Sequence, residues 1–181
     1  MHSLELLLDP ATDRGVRDDW QALLDAGLPS QGRHQGASNA PHVTLLARPS
    51  LDDSNDTELG RALTDLPLPA RLGGLVVFGR PPRGLVLARL VVVTPGILRL
   101  HAVVHEIVGD AGPDAPKEST EAWDAPHTRP GHWTPHVTLA SGLSPAQLAD
   151  ALPLLGPADL EGAFVAGRRW DSTQKLVIAL G

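Results

Sequence analysis

The sequence predicts an α+β fold built on antiparallel sheet, on three observations. Strand-like runs come in pairs joined by short turns, at Phe78 to Leu85 and at Trp170 to Lys175, and short turns join antiparallel strands. Strand and helix patterns follow one another in the same order in both halves of the chain, the mark of an internal repeat. One pentapeptide occurs twice, letter for letter: Pro41-His42-Val43-Thr44-Leu45 and Pro135-His136-Val137-Thr138-Leu139.

Taken in order, Leu4 to Leu8 is a short apolar strand stopped at Asp9-Pro10. Thr12 or Asp13 is placed to cap a helix to about Ala26, with Val16, Trp20, Leu23 and Leu24 on one face. Gly27 and Pro29 end it. A polar loop from Ser30 to Ala40, carrying Arg33 and His34, leads into the first copy of the pentapeptide, and Arg48-Pro49-Ser50 closes that strand. Asp56 to Leu66 has helical spacing, and Pro67 and Pro69 terminate it. Ala70 to Phe78 and Leu85 to Val93 form a hairpin around Gly79-Arg80-Pro81-Pro82-Arg83-Gly84, whose two arginines are either substrate contacts or a solvated tip.

Thr94-Pro95 opens a helix with Ile97, Leu100, Val104, Ile107 and Val108 inward. His101 and His105, four apart on its flank, have a spacing that can chelate a metal, but the glutamate of a zinc-protease helix is missing and exposed helix histidines are the expectation. Residues 110–131 are polar with scattered Gly and Pro and are expected to form a mobile loop. His127, Arg129, His132 and Trp133 lie at its end. After the second pentapeptide, Ser144 caps a helix to about Leu155, and Ala163 to Trp170 pairs with Lys175 to Leu180.

Composition bounds the function. The 181 residues can bury a real core, and an apolar content of 42% with 20% charged residues is that of a globular protein. There is no cysteine, so disulfides, thiolate chemistry and Cys-based zinc sites are excluded, and a reducing, cytoplasmic location fits. The opening Met1-His2-Ser3-Leu4-Glu5 does not have the pattern of a signal peptide, and no apolar run approaches the ~20 residues of a membrane span. A net charge of −6 argues against broad non-specific nucleic-acid binding, though not against a local basic site.

Side chains alternate along a strand, so Val43 and Leu45 face one way and His42 and Thr44 the other; the second copy does the same. An imidazole titrates near neutral pH, so one can accept a proton while another donates. A hydroxyl two residues on can donate to a phosphoryl oxygen as charge develops there. A duplication that kept only core residues explains Val and Leu; it does not explain two His-Thr pairs on the polar face. This tandem His-x-Thr-hydrophobic pattern resembles the two-histidine phosphoesterase superfamily, in particular its LigT-like, 2′-5′ RNA ligase branch, over nearly the whole chain.

The resemblance implies one bilobal domain over 1–181, with two lobes related by a pseudo-twofold axis, helices outside, and the motifs facing across a cleft. It also implies His42, Thr44, His136 and Thr138 as catalytic residues, without metal or cofactor. The partner would be an RNA end or nucleotide carrying a 2′,3′-cyclic phosphate or a 2′-5′ linkage, met by a monomer. Arg33, Arg129, His132 and Trp133 are candidate substrate contacts. Arg129 can pair with a phosphate; Arg33 could meet a phosphate at a cleft, but a solvated loop charge is the favoured reading; Trp133 either stacks on a base or plugs the core. Two other readings stay open: a nucleotide- or RNA-binding module with little turnover, and a metal-dependent hydrolase using His101 and His105.

Overall fold

The computed structural model describes residues 1–36, 38–109, 125–156 and 159–181. Among them are seven strands: β1 (His2–Leu8), β2 (His42–Arg48), β3 (Leu68–Gly79), β4 (Leu85–Val91), β5 (His136–Leu143), β6 (Leu160–Asp171) and β7 (Leu176–Leu180). Four α-helices join them: α1 (Pro10–Asp25), α2 (Asp56–Ala62), α3 (Pro95–Val108) and α4 (Pro145–Ala151). The loop expected over 110–131 lies outside the described residues as far as 124. Beyond that, Pro126–Thr128 forms a single 3-10 turn.

Helix boundaries follow local chemistry. The cap of α1 is Asp9, not Thr12 or Asp13: its carboxylate accepts from the N–H groups of Ala11 and Thr12, and Pro10, which has no N–H to lose, fits the first turn. The same carboxylate accepts from the Thr12 hydroxyl and the Ala163 N–H, which locks the helix start onto β6 and holds the Asp9 pKa down at about 2. The helix expected over 56–66 stops at Ala62 and finishes as a 3-10 turn, Leu63–Asp65, because a residue before proline avoids helical ψ; Leu66 is already extended. Ser144 caps α4 in a reciprocal box with Gln147, and Pro153, which cannot donate to the turn before it, ends the α-helix at Ala151.

All strand pairs are antiparallel, and the hydrogen-bonded path runs β2-β1-β6-β3-β4-β5, with β7 added beside β6. Exchanging β1 with β4, β2 with β5 and β3 with β6 turns this order into its own reverse. The chain is thus two β-α-β-α-β units related by a pseudo-twofold, plus β7. The central hairpin is divided between them: β3 closes the first unit and β4 opens the second.

The pentapeptide strands are the two ends of the path. Each buries its apolar pair, with Val43, Leu45, Val137 and Leu139 at most 2% exposed, while His42, Thr44, His136 and Thr138 are half-buried. Each long helix crosses over: α1 of the first unit packs on β5 of the second, and α3 of the second packs on β2 of the first. A buried bidentate ion pair, Arg89 to Asp19 at 2.6 and 3.1 Å, bolts β4 to α1 in the same sense.

Candidate active site

Two indoles bring the motif strands together. Trp20, on α1, donates from Nε1 to the Thr138 carbonyl at 3.0 Å; Trp133, just before β5, donates to the Thr44 carbonyl at 2.9 Å. Each motif is therefore pinned by a tryptophan from the other half. Both accepting carbonyls lie in end strands, where the sheet offers no neighbour on one side.

The two imidazoles are held alike. His42 Nδ1 donates to the Ala40 carbonyl at 2.8 Å and His136 Nδ1 to the Thr134 carbonyl at 2.7 Å. A carbonyl only accepts, so Nδ1 carries a proton and Nε2 is the nitrogen left for chemistry. Their surroundings differ. His42 Nε2 lies 3.5 Å from Glu5 Oε1. His136 packs against Phe78 and His127, with ring centroids 4.6 and 5.6 Å away. Burial pushes the His136 pKa below the ordinary histidine value, and the charges of His127 and His42 push the same way, against the Thr134 hydrogen bond. His127 is also lowered, by partial burial.

A cleft of about 150 Å³ takes in His42 from one motif and Val137 and Thr138 from the other, with Trp20, Gln31, Asn39 and Ala40 completing its wall. Larger cavities lie elsewhere, about 260 Å³ between α2 and α3 and about 510 Å³ beside β7, and neither is lined by a motif residue. The meeting of residues from both motifs, not size, singles out the smaller one.

The other candidates are placed less centrally. Arg33 folds back onto its own loop, donating to the Leu28 carbonyl at 3.0 Å. Arg129 follows the 126–128 turn, half-buried, and His132 is exposed beyond it. Trp133 faces inward, stacked on His101 with centroids 4.1 Å apart and planes 11° from parallel. That contact overturns the expectation of an exposed His101. It is 4% exposed and donates from Nε2 to the Thr128 carbonyl at 2.8 Å, since α3 turns it toward the 125–134 segment rather than to solvent. Burial lowers its pKa as well. His105 Nε2 lies 3.4 Å from the Leu45 carbonyl. Both rings of that helical pair thus meet backbone carbonyls.

Sequence reasoning missed Glu5, Gln31, Asn39 and the bracing role of Trp20. Glu5 left one signal, a lone carboxylate inside the apolar run Leu4-Glu5-Leu6-Leu7-Leu8.

The family model described as the 2′-5′ RNA ligase superfamily matches residues 12–168. The chain belongs to that superfamily. The match spans both motifs and all four helices except the first two residues of α1, and it makes the protein a member of the two-histidine phosphoesterases. Solved structures of similar fold include Usb1 from Kluyveromyces marxianus, at 15% identity and a TM-score of 0.54, covering 99% of this chain and 96% of that one. A second structure of that protein, with uridine monophosphate, aligns at 14% identity and a TM-score of 0.52 over 99% and 97%. No curated protein matches the chain. Among the described residues, no helix of this superfamily member is long and apolar enough to cross a membrane.

Proposed function

We propose that this protein is a metal-independent phosphodiesterase that opens 2′,3′-cyclic phosphates, or cleaves or joins 2′-5′ linkages, in nucleotides or RNA ends. One observation carries the reading. Two histidines on symmetry-related strands each anchor Nδ1 on a backbone carbonyl, leaving Nε2 for proton transfer, beside a cleft that both motifs line. In the reaction one neutral imidazole takes a proton from water or a ribose hydroxyl, and the other, protonated, delivers one to the departing ribose oxygen. Thr44 and Thr138 donate to the non-bridging oxygens. With a ribose hydroxyl as nucleophile, the same groups run the reverse, joining reaction.

The reading extends to one bilobal domain working as a cytoplasmic monomer. A neighbour in fold was solved with uridine monophosphate, which makes a uridine nucleotide the first substrate to try. The test is hydrolysis of the four nucleoside 2′,3′-cyclic phosphates in the presence of EDTA by wild type, His42→Ala and His136→Ala. Wild type should turn over, and each variant should lose about 10²-fold or more, the scale of one acid/base group. Loss of wild-type activity in EDTA, or full activity in either variant, would refute the mechanism.

A further inference from the structure

The two motifs are identical in sequence, but the strands beside them are not. On β1, Glu5 stands opposite Thr44, just after a break in register between Leu4 and Glu5. On β4, Ala88 stands opposite Thr138, just after a break between Leu87 and Ala88. Under the pseudo-twofold these positions correspond, bulge for bulge. One strand further in, Arg168 pairs with Glu5 and Val76 pairs with Ala88. So a Glu-Arg pair backs the first motif where an Ala-Val pair backs the second.

The charged side is built and buried. Glu5 and Arg168 are 5% and 7% exposed. Glu5 Oε2 accepts from Arg168 Nε at 2.7 Å, and Oε1 accepts from the Ser3 hydroxyl at 2.6 Å while lying 3.5 Å from His42 Nε2. Arg168 also donates to the Ser38 carbonyl at 3.0 Å, which holds the pair rigid. His42 therefore has an acceptor facing each ring nitrogen, Ala40 O at Nδ1 and Glu5 at Nε2, an arrangement suited to the doubly protonated ring. His136 has a backbone acceptor at Nδ1, with Phe78 and His127 packed against its ring.

We propose that Glu5 is a positioning residue that sets the direction of proton transfer, holding His42 as the proton donor and leaving His136 as the acceptor. The proposal rests on the phosphodiesterase reading above. In cyclic-phosphate opening, neutral His136 takes a proton from water as the new P–O bond forms. The His42 imidazolium gives its proton to the ribose oxygen as the old P–O bond breaks. The two rings then return to their starting states by exchange with solvent. The groups facing His42 are Glu5 from β1, Arg168 behind it on β6, and His136 from β5; those facing His136 are His127 and His42. The lowered pKa of His136 is consistent with its role as the neutral partner.

Two measurements test this. Ring-nitrogen NMR over a pH titration of the wild-type protein should show His136 losing its proton at lower pH than His42; simultaneous loss or the opposite order overturns the proposal. This requires neither turnover nor a variant, so an inert protein would remove the phosphodiesterase reading without deciding the proton order. In Glu5→Gln, the alkaline limb of the kcat/KM profile should move down by about one pH unit, the low end for an opposite charge at this range because Arg168 shares the carboxylate. The acid limb and KM should stay, and Glu5→Asp should restore much of the alkaline limb. A purely structural Glu5 would lower activity evenly at every pH, and that result overturns the proposal.

Discussion

Replacing Trp20 with phenylalanine keeps an aromatic body in place and deletes the hydrogen bond that pins the second motif. Trp20 is 4% exposed, and its N–H reaches the Thr138 carbonyl at 3.0 Å. Leaving a screened carbonyl without its donor costs about 1–3 kcal/mol. The smaller ring buries roughly 40 Å² less, which at about 25 cal/mol per Å² adds about 1 kcal/mol. The total of about 2–4 kcal/mol corresponds to a fall in Tm of roughly 4–16 °C for a chain of this size. Thr138 lies next to Val137 and two residues from His136, so the released strand misplaces a hydroxyl and an imidazole together. Displacements on the 1 Å scale cost up to about 10²-fold in rate, and kcat should drop at least ~10-fold with KM little changed. Trp133→Phe should mirror this through Thr44. Differential scanning calorimetry and steady-state kinetics on a cyclic nucleotide are the assays. A Tm within about 1 °C of wild type, with unchanged kcat, would show that the indole bonds do not hold the motifs.

Two further outcomes are expected. Asp19→Asn should destabilise by about 3–5 kcal/mol in urea denaturation, because the buried Arg89 guanidinium loses its carboxylate, whereas a double replacement of both residues by apolar ones should recover much of the loss. Stability should also fall as pH drops from about 7.5 to about 5. His101, His127 and His136 have folded pKa values below the unfolded value of about 6.5, so the unfolded chain binds more protons there; the stabilisation is present above that value and is lost below it. Urea midpoints across that range check the sign, and a rise on acidification would contradict it.

How much of this was legible in the sequence depended on whether a signal was local. The motif strands, their inward Val and Leu, the 79–84 hairpin turn and the Ser144 cap were readable, because alternation and capping act over a few residues. The helix start at Asp9 was missed by a few positions, since Asp9, Thr12 and Asp13 are all competent caps; Pro10 in the first turn was the local signal for Asp9, and the Ala163 N–H on β6 adds one that no local pattern shows. His101 was assigned to the wrong environment because helical spacing fixes a direction but not what packs there, and what packs there is Trp133. Glu5 was invisible as a partner of His42, since that contact depends on β1 lying beside β2 with a one-residue bulge between Leu4 and Glu5. Repetition revealed what the two halves share; their inequality lies in neighbours far away along the chain.

The long strand β6 has a consequence for how the cleft behaves. Along one edge it bonds to β1, and along the other to β3 and then β7; Phe164, fully buried, is paired with Leu8 and with Leu68 at once. Phe164, in the last strand of the second unit, is thus clamped between the first and third strands of the first unit. A rigid opening of one unit away from the other must bend the strand at that residue or break ladder bonds on both sides of it. Asn39 and Ala40, in the cleft wall, and His127, against His136, lie outside the ladder and can shift without breaking strand pairing, whereas the distance between the two motifs is held by the sheet together with the two indole bonds.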